Sequence, residues 1–161
     1  MIQRIQTVYL SLAFIAVALL FAFPMAQFFG ENGAYILSIT GLKNMVPLLP
    51  GEVEVFNSLI FIPLAIAAVV LAILILFAIF KYKNRQFQLQ LTNFGVFISI
   101  ALILGVFFLY IPMIQKKINI VPNYIDCIGI YLPLVALVFI VMANRAIKRD
   151  ERLVRSADRL R

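Results

Sequence analysis

Four apolar segments constrain the fold of this 161-residue chain more than any other feature. A helix needs about 20 mostly apolar residues to cross the hydrocarbon core of a bilayer, and the segments 7–29, 57–80, 92–114 and 125–144 meet that requirement. Apolar residues make up 64% of the chain, more than so short a soluble protein could bury, since ordinary domains contain roughly 45 to 50%. The sequence therefore predicts an all-α membrane protein, a bundle of four transmembrane helices.

The connections between these spans are too short to fold alone, because chains below about 40 residues rarely do so without disulfides, metals or partners. The longest are the loop 30–56 and the C-terminal tail 145–161. We therefore predict one membrane domain over residues 1–161, whose function resides in the bundle, in its loops or in a partner.

Basic residues indicate the orientation of the spans, because Lys and Arg close to a span tend to remain in the cytoplasm. With a cytoplasmic N-terminus, only three of the 14 basic residues, Lys43, Lys116 and Lys117, fall on the outer side. The sequence thus predicts a multi-pass protein with both termini in the cytoplasm. Its predicted basic inner surface comprises Arg4, Lys81, Lys83, Arg85, Arg145, Lys148, Arg149, Arg152 and Arg155.

The outer loop 30–56 contains a β-favouring run, residues 34–40, that ends at Gly41. A lone strand is unstable, so this run needs a partner. The candidates are 52–56, where acidic and apolar residues alternate, and 117–121 in the third loop. We predict a small β cap of two or three strands on the outer face of the bundle. An irregular loop at the lipid headgroups is the equally open alternative.

The tail 145–161 has the pattern of a basic amphipathic helix that continues the fourth span. Ala146, Leu153 and Leu160 recur every seven residues, and acidic residues are interspersed among the bases. Such a helix either lies on anionic lipid or docks on a cytosolic partner, or its charges only fix the topology. We do not expect nucleic acid as a partner, because acids interrupt the bases and no aromatic residue lies among them.

Polar side chains near the cytoplasmic ends of the spans predict a clamp between helices, with a ligand site as the alternative. Gln86, Gln90 and Asn93 share one helical stripe if residues 86–91 are helical. The alternation of Gln with apolar residues over 86–91 also permits a strand. Hydrogen bonds between side chains contribute about 1 kcal/mol or less each in a membrane. The predicted network clamps helices one, three and four and comprises Gln3, Gln6, Gln86, Gln90, Asn93 and Asn144.

The fourth span contains a predicted helix break. Pro133 cannot donate a hydrogen bond to the carbonyl of Gly129, so a kink is expected there. Carriers use such breaks near the membrane midplane, although ordinary membrane helices contain them too. Asp126, the one acidic residue within the spans, lies near the outer end of the same helix.

The residue types that carry most catalytic and metal chemistry are scarce. The chain has no His and a single Cys, Cys127. It therefore offers no nucleophile paired with a His base, no zinc or haem ligand cluster and no internal disulfide. We expect no metal and no cofactor, and we assign no catalytic residue. The sequence favours a non-enzymatic protein.

The chain opens with Met-Ile-Gln-Arg-Ile-Gln at residues 1–6 and carries a Gly-Leu pair at 41–42. These features resemble a family of small bacterial membrane proteins that is known only as a domain of unknown function. Its members are similar in length, with four helices and a basic C-terminal tail, so the resemblance covers most of the chain. It implies a location in the inner membrane of a Gram-negative bacterium and no particular activity.

The expected function is that of an accessory, assembly or scaffold subunit, which acts through its helix faces and its basic inner surface. Its expected partners are another membrane protein or a second copy of the chain, together with anionic lipid at the cytoplasmic face. The alternative is a small oligomeric transporter or lipid-handling protein that uses the Gly129 and Pro133 break together with Asp126.

Overall fold

The computed structural model describes residues 3–30, 33–45, 58–82, 84–118 and 124–159. Within these ranges the chain forms four helical rods and one small antiparallel sheet. The helices are α1 (Gln3–Leu19), α2 (Ile62–Phe80), α3 (Arg85–Leu104), α4 (Ile111–Ile118) and α5 (Ile128–Arg159). The strands are β1 (Ala26–Gly30), β2 (Gly33–Ser38), β3 (Gly41–Asn44) and β4 (Tyr124–Asp126). A 3-10 turn, Ser58–Phe61, leads into α2, and a π-helical segment, Gly105–Tyr110, joins α3 and α4 into one rod.

Three of these rods are long and apolar enough to cross a membrane. They are Leu59–Phe80, Arg85–Lys117 and Ile128–Val154, with 22, 33 and 27 residues. The apolar part of α1, Ile5–Leu19, is shorter. The structure thus indicates a mostly helical membrane protein, as the apolar runs of the sequence predict.

The first predicted span, residues 7–29, divides into a helix and a strand. α1 ends at Leu19, a short turn follows, and β1 begins at Ala26. Two features of the sequence explain the division. Pro24 has no N–H with which to continue a helical ladder, and the aromatic Phe28 belongs to the residue types that strands favour. The apolar character of the segment therefore extends beyond the helix into the sheet.

The sheet has the strand order β3-β2-β1-β4, with every neighbouring pair antiparallel. It confirms the predicted small sheet, but it has four strands instead of two or three. β2 pairs with β1 and β3 instead of the two expected partners. Residues 52–56 lie outside the described ranges, and Lys117 and Ile118 end α4 instead of beginning a strand. Two residues separate β2 from each neighbour along the chain, and such short connections favour local hairpins.

Side chains on one face of the sheet are buried, in agreement with the two-residue period of strands. Phe28 on β1 and Leu37 on β2 are fully buried, and Tyr35 is nearly so. Phe28 also stacks on Tyr124 of β4, with the ring centroids 5.8 Å apart. Gly41 begins β3 with a φ of 153°, a conformation that residues with a side chain rarely adopt. Glycine is therefore required at the second hairpin.

α3 begins before the predicted span 92–114. Asn84 caps the helix, because its side chain accepts a hydrogen bond from the backbone N–H of Phe87 at 3.2 Å. Residues 86–91 are therefore helical and not extended. α3, the π segment and α4 together form one apolar rod from Arg85 to Lys117.

The π segment lies directly before Pro112 in this rod. There the N–H of Ile111 donates to the carbonyl of Val106, one residue farther back than in an α-helix. Because Pro112 has no N–H, such a local change of the ladder lets a membrane helix continue past a proline. The segment also contacts the turn before α2, since the hydroxyl of Tyr110 donates to the carbonyl of Ile60 at 3.0 Å.

α5 packs against both α1 and α3, and α2 packs against the same two helices. The buried face of α5 includes residues at intervals of three and four, namely Ala136, Ile140, Ala143 and Ile147. Gly95 of α3 lies between α2 and α5, because a Cβ atom there would lie 3.7 Å from Leu71 and from Ile140. Small residues at such places let the helix backbones approach each other.

The start of α5 is joined to the turn after α1 by backbone hydrogen bonds. The N–H of Gly129 donates to the carbonyl of Pro24 at 2.9 Å, and the N–H of Cys127 donates to that of Met25 at 3.0 Å. A Cβ atom on Gly129 would lie 2.3 Å from the Pro24 oxygen, closer than real Cβ contacts allow. Glycine at position 129 therefore lets the two backbones touch.

We expect Gly129→Ala to destabilise the folded protein, because the added methyl group has no space against the Pro24 backbone. Overpacking costs about 1 to 3 kcal/mol, so the melting temperature in detergent should fall by several degrees. Gly105→Ala is the matched control, since a Cβ at Gly105 meets nothing within 4 Å and a helix favours alanine over glycine. An equal fall in both variants would contradict a specific contact at Gly129.

Candidate functional site at the basic end

The helices bring polar and charged residues together at the end of the bundle opposite the sheet, which we call the basic end. Gln6 on α1 donates a hydrogen bond from Nε2 to Oδ2 of Asp150 on α5. Nη1 of Arg85, at the start of α3, donates to the backbone carbonyl of Asp150 at 3.4 Å. Three helices therefore meet around Asp150.

Asp150 is an acidic residue in a buried position. It is only 5% exposed, whereas acidic residues are almost never fully buried unless they are paired. Its Oδ2 accepts from Gln6, but Oδ1 has no hydrogen-bond partner among the described residues. The carboxylate can therefore accept a further hydrogen bond at Oδ1. The available sequence signal is that position 150 continues the three- and four-residue period of the buried face of α5.

Asn144 joins α5 to α3. Its Nδ2 donates to Oγ1 of Thr92 at 2.9 Å and to Oδ1 of Asn93 at 2.7 Å. Asn144 is buried, and the Thr92 hydroxyl in turn donates to the carbonyl of Leu89 at 3.0 Å. Of the six predicted clamp residues, the structure thus brings Asn93 and Asn144 into direct contact. It places Gln6 at the contact between α1 and α5.

Gln88 is a buried polar residue of this region that sequence reasoning missed. Its Nε2 donates to the carbonyl of Ala78, near the end of α2, at 2.9 Å. Its Oε1 has no hydrogen-bond partner within the described ranges. The available signal is a row of polar, small and apolar residues at helical spacing, which forms the buried stripe Gln88, Thr92, Gly95, Ser99 and Leu102.

The other predicted clamp residues lie away from these contacts. Gln86 and Gln90 are exposed on α3, and each is two positions from Gln88, a rotation of about 200° around the helix. Gln3 lies in α1, but its side chain is outside the described part of the chain. The predicted stripe therefore differs by two positions from the buried one.

Four residues of the predicted basic surface form one face of α5. These bases, Arg145, Lys148, Arg149 and Arg152, are exposed, and together with Leu153 they line a cavity of about 640 Å³. Their spacing of three and four positions puts them on the same side of the helix. Guanidinium and ammonium groups in this arrangement suit a phosphate or a carboxylate ligand.

The remaining five predicted bases do not line this cavity among the residues that the structure describes. Lys81 is exposed just after α2, and Arg85 is half-buried at the start of α3. Arg4 and Arg155 lie in α1 and α5, but the structure does not describe their side chains, and Lys83 is outside the described ranges. The basic face is therefore defined by the four bases of α5.

The predicted helix-break residues lie at the other end of α5, next to the sheet. Pro133 is buried within the first two turns of the helix, and Gly129 contacts the Pro24 backbone. Asp126 is exposed in β4, and the hydroxyl of Tyr131 donates to its Oδ2 at 3.4 Å. Gly129 and Pro133 therefore both lie near the start of α5, which is one helix from Ile128 to Arg159.

Cys127 precedes α5 and is half-buried. Burial, and to a smaller extent the charge of Asp126, raise the pKa of its thiol above the ordinary value. The thiol is consequently a weak nucleophile at neutral pH. Among the residues that the structure describes, no group of three or more Cys, Asp or Glu could hold a metal ion.

One family model matches residues 2–160 of the chain, that of the family described as Domain of unknown function (DUF4293). The match confirms the predicted membership of an uncharacterised family. No curated protein and no solved structure matches the chain. The family description assigns no activity, substrate or partner.

We expect Asn144→Leu to lower the melting temperature in detergent, because it removes both hydrogen bonds from Asn144 to α3. Such bonds in membranes contribute about 0.6 kcal/mol on average and up to about 1.7 kcal/mol. Gln90→Leu removes an amide at an exposed position and should leave the melting temperature unchanged. Equal melting temperatures for Asn144→Leu and the wild type would contradict a clamp between α3 and α5.

Proposed function

The chain belongs to the DUF4293 family, a family of unknown function, and we propose that it is a non-enzymatic accessory or scaffold subunit of the bacterial inner membrane. In this proposal it holds a membrane-protein partner at the basic end of the bundle. The observation that carries the proposal is the continuity of α5, which extends as one helix from the apolar span into the charged segment.

Two contacts fix the charged part of α5 to its neighbours. Asn144 bonds to α3, and Asp150, six positions later, bonds to Gln6 of α1. Three of the bases that line the cavity lie between these contacts, so their direction around the helix is set. A preorganised surface loses less conformational entropy on binding than a flexible tail does, and this favours a role in holding a partner.

The proposal includes four spans, because α1 is attached to α5 over the thickness of a membrane. Gln6 is tied to Asp150, and Pro24 is tied to Gly129. These two residues of α5 are 21 positions apart, which is about 32 Å along a helix and enough to cross a hydrocarbon core of roughly 30 Å and end in the headgroup layer. α1 and the turn after it thus extend alongside this stretch of α5, although α1 itself has 17 residues.

The proposed orientation places the basic end in the cytoplasm and the sheet on the outer side. Bases next to spans tend to remain in the cytoplasm, and the four bases of α5 and Arg85 lie together at the basic end. Because α1 begins at this end and α5 reaches it with its charged segment, both termini are cytoplasmic in the proposal.

The transporter or lipid-handling alternative stays a hypothesis without a specific supporting observation. The backbone of Pro24 fills the space beside Gly129, and Pro133 lies close to the start of α5. Asp126 is exposed beside the sheet. A carrier site at Gly129 and Pro133 would need a conformation in which the Pro24 backbone moves away from Gly129.

The proposed orientation predicts from which side of a sealed right-side-out membrane an impermeant maleimide can label a cysteine at each end of α5. Cys127 is the only cysteine and lies beside the sheet, so it should react from outside. Because the pKa of its thiol is raised, little of the reactive thiolate is present at pH 7. The thiolate fraction grows as the pH rises, so labelling should accelerate from pH 7 to pH 9. In the double variant Cys127→Ser/Arg152→Cys, labelling should require permeabilisation. The reverse pattern would contradict the orientation.

The scaffold proposal predicts a stoichiometric partner after cross-linking in intact membranes and purification in mild detergent. Gln6→Leu should reduce partner recovery severalfold, because it removes the hydrogen bond that ties Asp150 of α5 to α1. Gln90→Leu is the matched control at an exposed position and should keep the partner. Quantitative mass spectrometry measures recovery at equal expression. Purification of the wild-type chain alone, as a monomer or homo-oligomer, would contradict the proposal.

A further inference from the structure

The exposed side of α5 is one continuous stripe that changes from apolar to basic along the helix. Its apolar part consists of Tyr131, Leu134, Val138 and Met142, and its basic part consists of Arg145, Lys148, Arg149 and Arg152. Neighbours along the stripe are at most four positions apart and follow the helical repeat, so they share one side of the helix. The cations therefore directly continue an exposed apolar surface.

The direction of this stripe is fixed by the opposite side of α5. Ile140, Ala143 and Ile147 have no exposed surface, and Asp150 continues this buried row. The hydrogen bond from Gln6 to Asp150 keeps the buried row against α1. The basic part of the stripe consequently faces away from the bundle, toward the surrounding lipid.

The position of the bases along α5 matches the depth of lipid phosphates. Ile128, the first residue of the helix, and Arg145 are 17 positions apart, or about 26 Å along a helix. A hydrocarbon core is about 30 Å thick, and each headgroup layer adds about 5 to 8 Å. The first cation therefore lies where the acyl chains end, and the next two turns pass through the headgroup layer.

We infer that Arg145, Lys148, Arg149 and Arg152 bind the phosphate group of an anionic phospholipid whose acyl chains lie along the apolar part of the stripe. This inference rests on the membrane placement proposed above and names a ligand of the same basic end. One lipid molecule of the inner leaflet covers the basic part and the apolar residues nearest to it, Val138 and Met142, because its acyl chains extend over about half of a core of roughly 30 Å. The cavity of about 640 Å³ among these side chains is open to the surroundings, so a lipid headgroup can enter it from the side, and guanidinium groups donate paired hydrogen bonds to phosphate.

An acidic protein segment fits the stripe less well than a lipid does. Such a segment would approach from the water and would cover the basic part alone. The apolar part, which leads directly into Arg145, would still need acyl chains over Val138 and Met142. A lipid that carries both chains and a phosphate therefore accounts for the bases together with the apolar residues next to them.

The test titrates the full-length protein in mild detergent with defined lipids and counts bound molecules by native mass spectrometry. Dioleoyl-phosphatidylglycerol should bind more tightly than dioleoyl-phosphatidylcholine, because only the former carries a net negative charge. Inorganic phosphate at the same concentrations should not displace phosphatidylglycerol, since it has no acyl chains to cover the apolar part. Equal affinities for the two lipids, or full displacement by inorganic phosphate, would overturn the inference.

Matched variants separate this site from general electrostatics. Arg149→Gln/Arg152→Gln should weaken phosphatidylglycerol binding roughly thirtyfold, since each cation near a membrane surface contributes about fivefold. Lys116→Gln/Lys117→Gln removes the same charge at the end of α4 and should change the affinity little. If the first double variant does not fold, judged from its melting temperature, Arg152→Gln alone should weaken binding about fivefold. Equal weakening by both double variants would overturn the inference.

A further arm uses a poly-glutamate peptide. Binding of this peptide, lost in Arg149→Gln/Arg152→Gln and without a preference between the two lipids, would identify an acidic protein segment as the ligand and overturn the lipid inference. All of these measurements use pure protein and defined ligands. Their outcome therefore does not depend on whether a partner is captured, and the proposed function and the lipid inference can fail separately.

Discussion

α1 and the turn that follows it are held against α5 at two places. At the basic end, the amide of Gln6 donates to the buried carboxylate of Asp150, and next to the sheet the backbone of Pro24 closes against Gly129. Both contacts pair polar groups that are shielded from water, which would otherwise be costly to bury. This pairing sets the rotation of α5 and the direction of its basic face, and it brings β1 to the place where β4 pairs with it.

The long helices could be predicted from the sequence because the hydrocarbon core selects for uninterrupted apolar runs of about 20 residues. The same criterion fails after Leu19, where the chain stays apolar but becomes a strand. An apolar strand and an apolar helix segment are equally compatible with burial, and periodicity alone does not separate them over a short run. β2 was predictable because turn residues, including Gly41, bound a β-favouring run.

The contacts at the basic end were predictable in kind but only partly in position. Polar side chains at one depth indicate a clamp, and Asn93 does contact Asn144. Gln86 and Gln90 are four positions apart, and so are Gln88 and Thr92 of the buried stripe. Spacing alone therefore does not show which pair faces the bundle. Asp150 was missed for a different reason, since an acid within a charged tail resembles a solvated residue until α1 is placed over it.

Two contacts of the fold join segments that the ribosome makes at very different times. β1 pairs locally with β2, but its other neighbour lies 100 positions later, where Ala26 meets Asp126. The partner of Gln6 is 144 positions away. Contacts of such long range form late, because the intervening chain must first be made and inserted. A nascent chain that lacks both β4 and α5 therefore has an open edge on β1 and an unpaired amide in α1, two features that distinguish an unfinished molecule from a finished one.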